Sequence, residues 1–409
     1  MTADPAATPE VPPGSPTRGW GRWRADLVAV LPAWVAARVL VACAWGLAVA
    51  LARRDRPGGT TVQLDQGLLA WDGAWYEGIA SLGYRGLEAA VGSAEALRFF
   101  PLYPLLGRVL GWPLGGRDAL ALVIVANVAA LVVAVLVRRL VRYETADDAL
   151  AERAVWLLAL LPPAFVLVWA YSEALFLVGA AGALLACRRR WWWVAGLLGA
   201  VAGATRPLGL LLVLPVAVEV WEAWRGSGTV PVGAGAVGPG DPSRRLASVR
   251  DRLGALTALA GPVVGTGAYL WWVGATTGDA LAPYTVQQPL RGQADPISRL
   301  ARGVGDLLGP ERWGDGLHLP FAVAFVVLAV LTFRWWPRSY GVMAAVLLLA
   351  ALSADNLNSL ERYGLGAFPL VLTLAVAVAA QRWERLALAA CAGGLVSLCS
   401  LAWLGAYVP

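Results

Sequence analysis

The chain has 409 residues, of which 58% are hydrophobic and only 15% charged, with a net charge of +6 and a mean hydropathy of +0.62. A soluble domain averages about 45–50% apolar and about 25% charged residues, so an ordinary water-soluble fold is excluded. Nor does the positive balance point to nucleic acid: the 33 basic residues are all arginine, and they sit between long apolar runs, where they fix orientation and meet anionic headgroups.

Residues 1–19 are rich in Pro, Ala, Gly and Thr and are expected to be disordered, within a cytoplasmic N-terminus of residues 1–26. Arg18, Arg22 and Arg24 then precede the first apolar run, Leu27–Leu51, which is long for a signal-peptide core and reads as an uncleaved signal anchor. Further runs fall at 119–137, 154–170, 173–187, 191–205, 207–221, 255–273, 319–333, 340–353, 364–380 and 386–406. Since about 20 apolar residues cross a bilayer, residues 27–409 read as an all-α polytopic membrane protein of about eleven spans.

The loops give an independent check. With the N-terminus inside, the even-numbered gaps hold Arg138, Arg139 and Arg142; Arg188, Arg189 and Arg190; Arg225, Arg244 and Arg245; Arg334 and Arg338; and Arg382 and Arg385. Cytoplasmic loops carry such an excess, so the pattern predicts N-inside and C-outside. Residues 222–254 then form a flexible cytoplasmic loop, and 52–118 and 274–318 are long outer loops. In the first of these, Leu68, Trp71, Trp75, Ile79 and Leu82 recur at helical spacing, which predicts an amphipathic interfacial helix. A second half-apolar stretch follows from Ala96 to Gly111.

The four cysteines, Cys43, Cys187, Cys391 and Cys399, all lie in apolar runs and predict no disulfide framework. His318 is the one histidine, which argues against a multi-histidine metal centre or a Ser-His-Asp hydrolase.

Charged clusters gather in the predicted outer loops. Asp72 sits among Trp71, Trp75 and Tyr76, with Asp65 two helical turns earlier; either is a general base for a hydroxyl or a solvated position of an interfacial helix. Arg98, ahead of Phe99, Phe100 and Tyr103, is a phosphate-binding fork or an interface anchor. Tyr171-Ser172-Glu173 lies at a tight junction between spans, so Glu173 faces water or a polar cavity. Arg206, inside an apolar stretch, calls for an anionic partner. The last cluster is Asp355-Asn356 with Glu361-Arg362-Tyr363. Arg38 and Asn127 stand apart, within spans, and are expected to bond between helices, with contact to an anionic lipid the alternative for Arg38.

Five segments together carry a resemblance: WDGAWYEGIASLGY at 71–84, RFFPLYPLL at 98–106, AYSEALFL at 170–177, ATRPLGLLL at 204–212 and ERYGLGAFPL at 361–370. In order and spacing they resemble the PIG-V-type (GPI mannosyltransferase II-like) family of GT-C membrane glycosyltransferases, over residues 27–380. The resemblance implies jaw helices in the first outer loop and a lipid-linked donor, polyprenyl-phosphate-mannose. It implies inverting transfer to a glycan or glycolipid acceptor, with membrane lipid as the surrounding partner. Asp72 takes the part of the base, with Asp65 the alternative. Arg206, Arg362 and Arg98 take the part of cationic donors to the leaving phosphate. Glu173 orients hydroxyls, and Trp71, Trp75, Tyr76, Tyr103, Tyr171, Glu361 and Tyr363 complete the substrate contacts. The first loop lacks a closely spaced pair of carboxylates, so no essential metal and no cofactor is expected. A flippase, transporter or assembly partner for lipid-linked glycans is the competing expectation.

Overall fold

The computed structural model describes residues 17–55, 60–226, 248–309 and 314–409. Of the N-terminal residues expected to be disordered, 1–16 lie outside the described residues, as does most of the 222–254 loop, whereas from Thr17 onward the chain is helical, which corrects that expectation. Among the described residues there is no strand, and eighteen α-helices follow one another. They are α1 (Thr17–Asp55), α2 (Val62–Gln66), α3 (Asp72–Val91), α4 (Leu102–Gly111), α5 (Asp118–Thr145), α6 (Asp148–Leu160), α7 (Glu173–Arg188), α8 (Trp192–Thr205) and α9 (Val213–Arg225). The second half holds α10 (Val249–Thr277), α11 (Ala282–Thr285), α12 (Gln288–Arg291), α13 (Pro296–Leu308), α14 (Asp315–Trp335), α15 (Arg338–Leu352), α16 (Leu360–Gly366), α17 (Pro369–Ala377) and α18 (Gln381–Trp403).

This is an all-α polytopic membrane protein. Among the described residues, six helical segments are long and apolar enough to cross a bilayer: Trp23–Arg54, Asp118–Thr145, Pro207–Arg225, Val249–Thr277, Asp315–Trp335 and Gln381–Trp403. A seventh is the pair α16 and α17, bent by 86°. The remaining apolar runs of the sequence form shorter helices, α6, α7, α8 and α15. α1 begins at Thr17, ten residues ahead of its apolar run, and Asp26 inside that extension is bound by Arg138, Arg139 and Arg142 of α5.

α7 is the central helix. Fourteen of its sixteen residues are buried, as expected of a helix that is apolar on every side. It starts at Glu173 and ends at Arg188, about 22 Å apart at 1.5 Å per residue. Arg188 closes a buried network with Glu144 (2.8 Å) and Glu219 (3.5 Å), to which the Tyr340 and Ser339 hydroxyls donate. Two ionic clusters therefore cap opposite ends of one apolar helix.

α8 and α10 approach closely through small residues. A Cβ on Gly261 would lie 2.0 Å from the Gly196 oxygen, and one on Gly265 would lie 2.1 Å from that of Ala200. Gly199-x3-Gly203 and Gly261-x3-Gly265 thus allow backbone contact that larger side chains forbid.

Between α6 and α7 the chain breaks into a 3-10 turn, Pro162–Leu167, with irregular backbone up to Ser172. Pro162 and Pro163 remove the N–H groups that an α-helix would need here. Two carbonyls of the irregular stretch that follows are met from two neighbouring helices. Arg38 donates to the Leu167 oxygen (3.1 Å) and to Asn127 Oδ1 (2.9 Å), while Asn127 Nδ2 donates to the Val168 oxygen (2.9 Å). The interhelical role expected of Arg38 and Asn127 is what they perform, since backbone at membrane depth must be satisfied internally.

Candidate functional site

The break before α7 delivers Tyr171, Ser172 and Glu173 to the point where α3 begins. Helix α3 opens at Asp72, and the residue before it, Trp71, has a left-handed backbone with φ +59°. That conformation is unfavourable for a side chain of this size. It is held by the Trp71 indole, which donates to the Ala402 oxygen at 2.9 Å, and by the Ala170 amide, which donates to the Leu68 oxygen at 2.9 Å. The turn aims the Asp72 carboxylate inward at a helix N-terminus, where a negative charge is favoured.

Asp72 forms an ion pair with Arg362, on α16. The Arg362 Nε lies 3.2 Å from Glu173 Oε1, and the same oxygen is bound by Arg206, which caps the C-terminus of α8. Arg206 also donates to the Ser172 hydroxyl at 3.3 Å, and that hydroxyl pairs with the Tyr76 hydroxyl at 2.7 Å. The Tyr171 ring lies 5.5 Å from the Arg362 guanidinium carbon, and its hydroxyl accepts from the Asp72 amide at 3.3 Å. Two arginines thus share one carboxylate oxygen, while Glu173 Oε2, in a residue 2% exposed, has no hydrogen-bond partner among the described residues.

Burial pushes the Asp72 carboxyl up, but the charges of Arg362, Arg98 and Arg206 and the bond from Arg362 outweigh it and hold the group below its usual value. Asp72 is therefore an anion at neutral pH. Burial raises the Tyr76 hydroxyl, which stays protonated.

Of the residues picked out in the sequence, the fold brings Asp72, Tyr76, Tyr171, Glu173, Arg206 and Arg362 into one contiguous cluster. Trp75 stacks on Phe99 at 5.7 Å, with Arg98 beside both rings, so this group forms the flank of the cluster. Tyr103 is wholly buried, packs edge-on against Tyr76 at 4.8 Å and donates to the Leu122 oxygen; it supports Tyr76 from behind. Tyr363 is half-buried against the main core.

Two candidates lie elsewhere. Asp65 is exposed and accepts from the Thr60 hydroxyl, because the chain turns at Gly67–Trp71 and Asp65 never joins the helix of Asp72. The helix expected from Leu68 begins only at Asp72 for the same reason. Glu361 is fully buried on the other side of α16, where His318 Nδ1 meets both its oxygens at 2.8 and 2.9 Å and the Tyr407 hydroxyl donates at 2.9 Å. Sequence reasoning gave no site role to His318 or Ser172 and did not pick out Tyr407. A lone histidine in an apolar run was the available signal for the first.

Among the described residues no group of three or more His, Cys, Asp or Glu side chains is placed to hold a metal ion. Comparison with protein-family models, with curated proteins and with solved structures finds no match to this chain.

Proposed function

We propose that the protein is an inverting glycosyltransferase that moves mannose from polyprenyl-phosphate-mannose to a lipid- or glycan-linked acceptor on the outer membrane face. The observation that carries this reading is the Asp72–Arg362 pair, gathered with Glu173 and Arg206 from four separate elements at one end of α7. Asp72 is the base: the acceptor oxygen attacks the anomeric carbon, and its proton passes to the carboxylate. The bond from that carbon to the phosphate oxygen breaks on the opposite face, and the electron pair leaves on the polyprenyl phosphate. Inversion needs one base and a stabilised leaving group. Arg206 and Arg362, held side by side on Glu173 Oε1, supply fixed positive charge for that phosphate. A donor phosphate competes with Asp72 for Arg362, so donor binding frees the base for the acceptor.

The test is transfer of radiolabelled mannose from polyprenyl-phosphate-mannose, in membranes holding the wild type or Asp72→Asn. Label reaching a membrane acceptor with the wild type alone supports the reading, and the product names the acceptor. Transfer that is undiminished in the variant removes Asp72 as the base.

A flippase or transporter for lipid-linked glycans is the second reading. The buried Glu144–Arg188–Glu219 network favours it, since buried ionisable groups within a helical bundle mark transport pathways. Against it, α7 between those ends is apolar. Movement of a lipid-linked sugar across proteoliposomes, with no transfer from any such donor, would establish this alternative.

A further inference from the structure

Helix α13, in the second long loop, is strongly two-faced. Ile297, Ala301, Val304 and Leu308 recur at i, i+4, i+7 and i+11 and form one stripe. That stripe is bare: Ile297 is 80% exposed and Leu308 83%. The opposite face is packed. Arg299 is 1% exposed and ion-paired with Asp306 (3.2 Å) and Asp315, and Gly303 lies against Leu319. Exposed Ser298 and Arg302 run along one edge of the stripe.

The position of α13 identifies what covers the stripe. Its inner face lies on the first turns of α14, one of the six helices fit to cross a bilayer. A Cβ on Gly316, the second residue of α14, would lie 2.8 Å from the Leu307 Cα. Helix α13 is therefore level with the end of a membrane-crossing helix, where the headgroup–acyl boundary lies. Thirteen residues span about 20 Å as a helix and fall short of the roughly 20 residues needed to cross. An apolar stripe with a polar edge suits a boundary between oil and water.

We infer that Ile297, Ala301, Val304 and Leu308 seat α13 in the headgroup–acyl boundary of the leaflet on the Asp72 side. The side follows from its ties to the turn before Arg362. Arg302 pairs with Asp355 at 2.8 Å, the Leu357 amide donates to Asp315 at 3.0 Å, and the Ala294 amide donates to the Ser353 oxygen at 2.9 Å. A lipid-seated helix thus stands one ion pair away from the turn that leads into the candidate site.

The test is site-directed spin labelling of the full chain in phospholipid nanodiscs. Exposed Cys43 is replaced by Ala, and single cysteines are placed at 298, 301, 304 and 308; the other native cysteines are buried. Collision with oxygen, which concentrates in the acyl region, is compared with collision with a water-soluble nickel complex. The expected result is an oxygen-to-nickel ratio several-fold higher at 301, 304 and 308 than at 298. Equal, nickel-accessible values at all four positions would place the helix in water and overturn the inference. Labels at 301, 304 and 308 shielded from both reagents would also overturn it, by showing a protein partner on the stripe.

Discussion

Arg362 and Asp72 stand 290 residues apart in the chain and meet as an ion pair, with Glu173 held against the same guanidinium. The carboxylate proposed as the base is thereby bound to the cation proposed to receive the leaving phosphate.

Asp72→Asn keeps the shape of the side chain and removes its capacity to accept a proton. Mannose transfer is expected to fall by roughly 10²–10⁴-fold, the usual contribution of a positioned base. Single-turnover transfer at saturating donor measures the chemical step. Binding of the donor should survive, because Arg206 and Arg362 are untouched.

The same pair has a pH signature. Because the arginines hold the Asp72 carboxyl below its ordinary value of about 3.9, its contribution to stability is present above that value and is lost as pH falls through the depressed one. In Arg362→Met the largest opposing charge is gone and burial drives the carboxyl upward. The gap in thermal midpoint between wild type and variant should be widest at neutral pH; it should begin to narrow as pH falls through the variant's raised value and finish narrowing below the wild type's depressed one. A gap independent of pH would show that Arg362 stabilises by packing alone.

Glu361, fully buried, takes its hydrogen bonds from His318 and Tyr407. His318→Ala strips a buried carboxylate of its ring partner and should destabilise by about 3 kcal/mol. Tyr407→Phe removes one hydroxyl donor and should cost about 1–2 kcal/mol. Unfolding in detergent should rank the two in that order.

The α8–α10 contact is testable with one methyl group. Gly261→Ala places a Cβ 2.0 Å from the Gly196 oxygen, so the helices must separate, at about 1–3 kcal/mol. Gly267→Ala on the same helix meets nothing within 4 Å and should be neutral, or stabilising by up to about 1 kcal/mol. Comparing the two thermal midpoints separates close packing from helix propensity.

At the far end of α7, Arg188→Leu would leave Glu144 and Glu219 buried without their cation. A loss of about 3–5 kcal/mol is expected, read as a lower thermal midpoint. If the glycosyltransferase reading holds, folded Arg188→Leu protein should retain transfer, because the network lies about 22 Å from Glu173 along α7.

Particular residues mark where sequence reading stopped. Asp65 and Asp72 stand two helical turns apart in sequence, yet Trp71 at φ +59° breaks the helix between them. The turn is closed by Ala402 and Ala170, residues far along the chain, and no local pattern announces it. Glu361 and Arg362 are neighbours and read as one charged cluster. On α16 they diverge by about 100°, which sends Arg362 to Asp72 and Glu361 to His318. Arg38 and Asn127 were legible as interhelical groups, because a polar side chain in an apolar run has few other fates.

The sequence by itself determined the membrane class, the all-helical architecture and most of the residues that end in the cluster. Transfer of apolar side chains out of water is nearly additive along the chain, and so is the penalty for charge in hydrocarbon, so both can be read residue by residue. Only the tertiary structure decided which carboxylate meets which guanidinium. That choice depends on how closely the glycines let α8 approach α10, where the prolines break the chain before α7, and which way α16 turns its two adjacent charges. These are relations between distant segments, set by packing geometry that no local window contains.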